Sequence, residues 1–413
     1  MRVRKPSRLH QDLVGIIAKV ADITNIKQIE YFLEFGADEI DCFLAGLHKV
    51  IIKGMRDGAK IKLSVIIKWH PKPSDRICFR AAYQRECVFY QYILPNMLEL
   101  QKNYKIIEGL KLKFPNCIFA NMEYDKETIV INLDTEFKLL DRFYKMDFNH
   151  SSLVLKNLAK LHGLSFALQN LSPEVFEVIR NLCSKDVQYA NPEAIPKCLV
   201  DYYKDSLNVI TNVEAKIKLE ELSPYILELL NKCSVPVLNY SAICHADCWN
   251  NNILFKYQSR FQLQGKRPVD VLFVDYQLVR YASPVTDISY YLYMCVDQEI
   301  LSNHYNQLLD IYYGTLSAVL RQCHLDVEAI YPKRILQKHL IEYSVLGLIE
   351  ALISTKIITA VTEEALKMTE LKYSSDEPYQ CESENQAIYV ERINAVVNDY
   401  FGRGYAINAL LNQ

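Results

Sequence analysis

Three oxygen-bearing side chains between residues 245 and 275 stand at a spacing that suits transfer of a phosphoryl group from Mg·ATP. His245-Ala246-Asp247-Cys248-Trp249-Asn250-Asn251-Asn252 is followed, beyond two short β-prone runs, by Val271-Leu272-Phe273-Val274-Asp275. That chemistry needs a carboxylate facing an acceptor hydroxyl and hard oxygen ligands holding Mg²⁺ against the phosphates. Asp247 would orient the hydroxyl and take its proton, Asn252 would offer an amide oxygen to the metal, and Asp275 would ligate Mg²⁺ between the phosphates.

The surrounding pattern says how these groups could meet. Ile253-Leu254-Phe255 and Val269 to Val274 read as strands separated by the polar stretch Gln258 to Pro268, which contains Gly265. Antiparallel pairing of the two puts Asp247, Asn252 and Asp275 at one end of a hairpin. Each residue alone is more often a turn or strand terminus; it is the joint pattern H-x-D-x-W-x-x-N plus a strand-terminal Asp that is specific. Zinc is a weaker reading of Cys244, His245, Asp247 and Cys248, because there is no CxxC pair and no second Cys/His pair at matching spacing. His245 is expected instead to be a buried imidazole bracing the loop.

A phosphate-binding lysine and a glutamate to hold it should lie upstream. In Leu63-Ser64-Val65-Ile66-Ile67-Lys68 a period of two places Lys68 and Ile66 on one strand face, which would be the nucleotide side. The next helix should begin near Ser74 and Asp75 and end before Pro95. Glu86 shares an apolar stripe of that helix with Tyr83 and Tyr90, where a lone carboxylate is costly, so Lys68 is its natural partner. The phosphate-covering loop is expected at Gly36 to Gly46, between the first two strands. It holds only two glycines, few for a backbone that must approach phosphates.

Composition bounds the rest. The 413 residues are 50% hydrophobic and 23% charged, as in a packed globular protein long enough for two lobes. A net charge of -2 and a pI near 6.5 argue against a nucleic-acid binder. The basic start, Met1 to Lys5, has no apolar core behind it, so a cytoplasmic protein without a signal peptide is expected. Ser344 to Val361 is broken by Glu350 and Lys356 and reads as a buried helix, not a membrane span. The 12 cysteines are scattered and read as reduced thiols acting as small hydrophobes. A monomer is the expectation for assembly.

Along the chain, a helix near His10 to Ala21 and strands near Lys49–Met55, Ile61–Lys68, Cys117–Met122 and Thr128–Leu133 suggest an antiparallel sheet with one main helix. Asn132-Leu133-Asp134 would be the hinge, its backbone contacting adenine. We therefore expect a nucleotide-binding lobe over 1–132, and over 133–413 a larger helical lobe carrying the catalytic loop, metal site and acceptor pocket. Helices are expected at Leu153–Leu168, Pro173–Cys183, Ile217–Cys233, Glu299–Gln322, Arg334–Thr355 and Ala387–Tyr400, with the catalytic hairpin the only strong β interruption. Ser374 to Asn385 reads as a polar loop.

Cys244 to Phe255, then Phe273-Val274-Asp275-Tyr276-Gln277 and Arg280-Tyr281-Ala282-Ser283-Pro284 with Asp287, resembles the ecdysteroid-kinase-like family of insects, within the choline kinase and aminoglycoside phosphotransferase superfamily. The resemblance runs over nearly the whole chain. It implies an α+β, bilobal, protein-kinase-like fold, ATP and Mg²⁺ as cofactors, and phosphorylation of a hydroxyl on a small lipophilic molecule such as an ecdysteroid. It also implies Asp247 as catalytic base, Asn252 and Asp275 as metal ligands, and Lys68 with Glu86 at the phosphates. Asp287 would open the following helix, either as a simple cap or as a brace for the catalytic loop. The chain departs from the family where Gly is usual and Ala246 stands, and in the poor glycine loop.

Those departures motivate the alternative of a catalytically weak pseudokinase that binds a small molecule or a protein. A protein kinase fits less well, because the 11 residues between Asp275 and Asp287 are too few for a peptide-presenting activation segment.

Overall fold

A computed structural model describes residues 8–34, 47–69, 73–132, 136–183, 194–258, 267–361, 363–365, 368 and 384–412. Helix α1 (Arg8–Ile23) precedes an antiparallel sheet built from β1 (Lys27–Glu34), β2 (Leu47–Arg56), β3 (Ala59–Lys68), β4 (Asn116–Asn121) and β5 (Thr128–Asn132), in the order β1-β2-β3-β5-β4. Asp57 and Gly58 join β2 to β3 with φ of 50° and 78°, the paired positive angles of a two-residue hairpin turn that matches strand twist. Period-two alternation gives the sheet two different faces. Val50, Ile52, Val65, Ile67 and Val130 pack with Leu13, Ile17 and Val20 of α1 as a small separate core, whereas Ile129 and Ile131 turn to the large core on the other side.

Between β3 and β4 the chain runs through α2 (Pro73–Val88), a π-helical turn (Phe89–Ile93) and α3 (Leu94–Asn103). The helix does not stop before Pro95, as the sequence suggested. A proline ring clashes with the carbonyl four residues back and offers no N–H. The wider π turn immediately before it opens the ladder where those bonds would fail, and Pro95 becomes an early residue of the next α-helical segment.

The remainder is mainly helical. After β6 (Phe137–Leu139) come α4 (Phe148–Leu171), α5 (Pro173–Cys183), α6 (Ala194–Leu207), α7 (Val213–Leu222) and α8 (Ile226–Ser234). Then β7 (Ala242–Cys244), β8 (Ile253–Tyr257), β9 (Pro268–Phe273) and β10 (Arg280–Ala282) carry the site. The chain ends with α9 (Pro284–Cys295), α10 (Gln298–Gln322), α11 (Val327–Ile330), α12 (Lys333–Tyr343), α13 (Val345–Thr359) and α14 (Gln386–Gly402). A small antiparallel sheet against a mainly helical body is the α+β, bilobal arrangement anticipated from sequence.

Several expectations are corrected. The helix over Ile217–Cys233 is split by a 3₁₀ turn at Ser223–Tyr225, because Pro224 cannot continue the ladder. Arg334–Thr355 divides into α12 and α13 at Ser344. The hairpin of β8 and β9 is not the only β structure of the helical part: β6, just before α4, adds a third strand to it, and β7 pairs with β10. These short strands hold too few residues for a period of two to be visible. The glycine-poor loop Gly36–Gly46, the hinge residues Leu133 and Asp134, and most of Ser374–Asn385 lie outside the described residues.

α13 is buried along nearly its whole length, and no described helix is long and apolar enough to cross a membrane. Among the described residues nine cysteines are free, all but Cys117 buried, as small hydrophobes should be.

Candidate active site

Antiparallel pairing of β8 with β9 sets Ile253 opposite Phe273, and Val274 donates its backbone N–H to the Asn252 carbonyl at 3.0 Å. The residues flanking the hairpin therefore emerge at one end, as the spacing required. Asn252 closes a tight turn with Asp247. Its side-chain nitrogen donates to the Asp247 carbonyl at 2.9 Å and to the Asp247 carboxylate Oδ2 at 2.8 Å. Both partners can only accept, so the amide nitrogen must face them and its oxygen must point elsewhere, free to meet a cation.

Lys68 lies at the end of β3 and Glu86 in the last turn of α2. The Lys68 ammonium is 2.7 Å from Glu86 Oε2 and 2.9 Å from Asp275 Oδ1, which joins the sheet, the helix and the hairpin in one ion cluster. The Tyr276 backbone lies beside Glu86 and favours its charge, while Glu86 Oε1 is buried without a hydrogen-bond partner. Burial alone pulls the Lys68 ammonium down, but the charges of Asp275 and Glu86 outweigh it and the net direction is up. Burial pushes Glu86 up, with Lys68 opposing. The cluster remains open at Asp275, whose side chain is 27% exposed. A carboxylate and an amide oxygen are the hard donors that suit Mg²⁺, so the residues present fit that ion.

Ile66 is two residues before Lys68 and half-buried, on the face opposite Val65 and Ile67, as predicted. Asn132 is not gathered with the charged groups. It ends β5 with register partners on both sides, Val65 of β3 and Asn116 of β4, and the hinge backbone continues outside the described residues.

The loop before Asn252 is held from beneath. Ala246 has φ 66°, a left-handed angle that usually calls for glycine, so the substitution of Gly by Ala did not remove the conformation. Asp287 stabilises it: one carboxylate oxygen accepts the His245 N–H at 2.7 Å and the other accepts the Ala246 N–H at 2.7 Å. His162 adds a third contact to Asp287 at 3.1 Å and itself meets the Tyr312 hydroxyl at 2.8 Å. Burial opposes the Asp287 charge, yet these partners hold its carboxyl below the usual range. Asp287 is therefore a brace, and the cap of α9 is Ser283.

His245 is fully buried. Its Nε2 reaches the Val274 carbonyl at 3.0 Å and its Nδ1 accepts the Asp247 N–H at 3.3 Å, while burial pushes its pKa down. The zinc alternative fails on the same contacts. His162, Cys244 and Asp287 do converge, but His162 and Asp287 spend their polar atoms on the hydrogen bonds just given.

Sequence reasoning missed Tyr290 and Asn250. The Tyr290 hydroxyl donates to Asp247 Oδ1 at 2.9 Å, and the only available signal was its place one turn after Asp287. Asn250 anchors the loop, donating to the Tyr144 carbonyl at 2.8 Å. Burial and the nearby Asp275 charge push the Asp247 carboxyl up to about 7, with Tyr290 and Asn252 pulling it back.

A two-part α+β fold with a lysine held by two carboxylates and an Asp–Asn turn at the base of a hairpin is kinase-like. The profile of the ecdysteroid kinase-like family matches residues 39–325, and the chain belongs to that family. No curated protein gives a significant match. Among solved structures, the chain is similar to an ethanolamine kinase of Plasmodium vivax at 11% identity and a TM-score of 0.40, covering 98% of this chain and 93% of that one. It is also similar to a choline/ethanolamine kinase family protein from Mesorhizobium loti, at 12% identity and 0.35, covering 93% and 99%. An aminoglycoside 2'-phosphotransferase-IIIa bound to GDP gives 10% and 0.39, covering 97% and 100%. Family membership rests on the profile and not on these distant superpositions.

Proposed function

We propose that the protein is an ATP- and Mg²⁺-dependent kinase that phosphorylates a hydroxyl of a small lipophilic molecule, an ecdysteroid or a related steroid or xenobiotic alcohol. The observation that carries this is the Lys68 ammonium held between Glu86 and Asp275, with Asp275 in turn near enough to act on the Asp247 carboxyl that Asn252 fixes. Lys68, kept in place by Glu86, binds phosphate oxygens. Asn252 and Asp275 would hold Mg²⁺, which neutralises charge on the phosphates when bound. Asp247 orients the acceptor hydroxyl and receives its proton, and its raised pKa suits a group that must accept one near neutral pH. Ile66 contributes an apolar contact to the adenine, and Asn132 at the end of β5 its backbone.

The test is incubation of purified protein with Mg·ATP and a panel of ecdysteroids and other steroid alcohols, with phosphorylated product read by mass spectrometry. Product should form, and Asp247→Ala should reduce kcat by roughly 10²-fold or more while the fold and Mg·ATP binding persist.

A second reading, a weak or inactive pseudokinase serving as a binding module, is favoured by one contact: the Tyr290 hydroxyl already occupies an Asp247 oxygen. A thermal-shift titration separates the two, because a module without nucleotide function shows no response to Mg·ATP.

A further inference from the structure

Behind the sheet end that carries Asn132 there is a hollow of about 1250 Å³, open on one side. It is distinct from the Asp247 turn: none of the catalytic or metal residues proposed above lines it, and Asn132 is the one residue it shares with the proposed nucleotide side. Its floor is apolar: Tyr90, Leu94, Leu98, Phe114 and Leu272. Leu98 is 48% exposed, a large hydrophobe left facing water. Its polar lining is one-sided. Lys62, Lys102, Lys111 and Lys113 contribute to it, and no carboxylate does among the described residues. Lys111 and Lys113 are engaged by Glu108 and Asp270. Lys62 and Lys102 are exposed and make no ion pair among the described residues.

The wall is connected to the site. Tyr90 comes from the π turn, one turn beyond Glu86, and Leu94, Leu98 and Lys102 follow at four-residue spacing on the same continuous helix. The Tyr90 hydroxyl is buried without a hydrogen-bond partner. The rings of Tyr90 and Phe114 meet that of Tyr276 at 6.1 Å and 6.4 Å between centroids. Tyr276 follows Asp275 in the chain, and its backbone lies beside Glu86 and favours that carboxylate's charge. Pressure on this wall therefore reaches both carboxylates that hold Lys68. π turns inside helices are frequent at functional positions because an extra residue in a turn can be redistributed.

We propose that this hollow is a regulatory site for an anionic amphiphile, a long-chain carboxylate whose tail covers the Tyr90–Leu94–Leu98 stripe and whose head lies between Lys62 and Lys102. A cavity of this size accommodates such a molecule, an apolar body matches the floor, and a negative head matches Lys62 and Lys102, the two lining lysines with no ion pair among the described residues. The occupied state fixes the π turn, and with it the position of Glu86. That consequence rests on the kinase reading, whereas binding itself does not.

Dodecanoate, below its micelle concentration, is the probe for calorimetry on the full chain. It should bind saturably at one site, and the exposed double variant Lys62→Glu/Lys102→Glu should weaken it by at least about tenfold with an unchanged melting curve. Dodecyltrimethylammonium, with the same tail and the opposite head, should bind at least about tenfold more weakly. Absence of saturable binding, an unaffected double variant, or equal binding of the cationic amphiphile overturns the site. A thermal response to Mg·ATP that dodecanoate leaves unchanged overturns its regulatory role. A protein that binds dodecanoate but never responds to Mg·ATP overturns the kinase reading and leaves the site standing.

Discussion

At the scale of single residues, Asp247 has one carboxylate oxygen committed to Asn252 and the other to Tyr290. On the proposed reading an acceptor hydroxyl meets one of these oxygens beside the Tyr290 phenol, which takes up part of its accepting capacity. Tyr290→Phe should raise acceptor-independent ATP hydrolysis several-fold, as water gains access to the base, with Mg·ATP affinity preserved. A fall in all turnover would instead mean that the phenol aligns Asp247 and does not guard it. Ala246 makes a second prediction. Its left-handed angle costs an alanine about 1 to 2 kcal/mol, partly offset by the greater chain entropy of glycine. Ala246→Gly should therefore change unfolding free energy between zero and about +1 kcal/mol in urea melts, and Ala246→Val should lower it by at least about 1 kcal/mol. The identity of these residues was legible in sequence, because an Asp, an Asn and a Lys have few reasons to sit in such company. Tyr290 was not, because one tyrosine among 28 carries no signal until a helix is docked.

At the scale of elements, the brace Asp287 and the phenol of Tyr290 both ride on α9, in which every residue is buried. Its position is set by α13, where Gly347 lets the backbones approach. A Cβ built on Gly347 would lie 2.4 Å from the Ser289 carbonyl oxygen and 2.9 Å from the Tyr293 ring. Backbone cannot yield as a flexible side chain does. Gly347→Ala should destabilise the fold by about 1 to 3 kcal/mol and lower kcat by shifting α9 under the catalytic loop. Equal stability and activity to wild type would show that α13 does not fix α9. Most helices were visible from their periodicity, and so was the hairpin. The π turn was not: Pro95 predicts an end, and only packing of Phe89 against Tyr276, stacked at 3.5 Å between centroids, makes continuation favourable.

For the whole molecule, the large core is continuous from α2 through α14, so the helix carrying Glu86 is packed as part of the helical body while the lysine it holds belongs to the sheet. Buried histidines are the acid weakness of such a core. Burial pushes His339 down to about 4, with Lys338 adding to the effect, and its Nδ1 meets the Ser283 hydroxyl at 2.8 Å and the Tyr331 hydroxyl at 3.0 Å. An unfolded histidine takes its proton near pH 6.5, whereas the folded one refuses it until about pH 4. The unfolded state thus binds more protons in that window, and stability falls as pH drops through it. Between pH 7 and pH 5 the loss from this group is about 2 kcal/mol. The wild type should lose that much more stability over this interval than His339→Gln, measured by urea melts at both pH values; parallel losses would remove His339 as the cause.

The sequence by itself determined the chemistry on offer: two strand faces from period-two alternation, an Asp–Asn turn before a hairpin, a terminal Asp after it, and a glutamate that could not be buried without a cation. These are local, because side-chain direction in strands and helices follows from position along the chain. Only the tertiary structure decided that Lys68 touches Asp275 as well as Glu86, that Asp287 holds a left-handed alanine in place, and that the Tyr290 phenol bonds Asp247. Each of those contacts joins segments more than 40 residues apart. Such pairings depend on how buried faces dock, which no window of sequence contains.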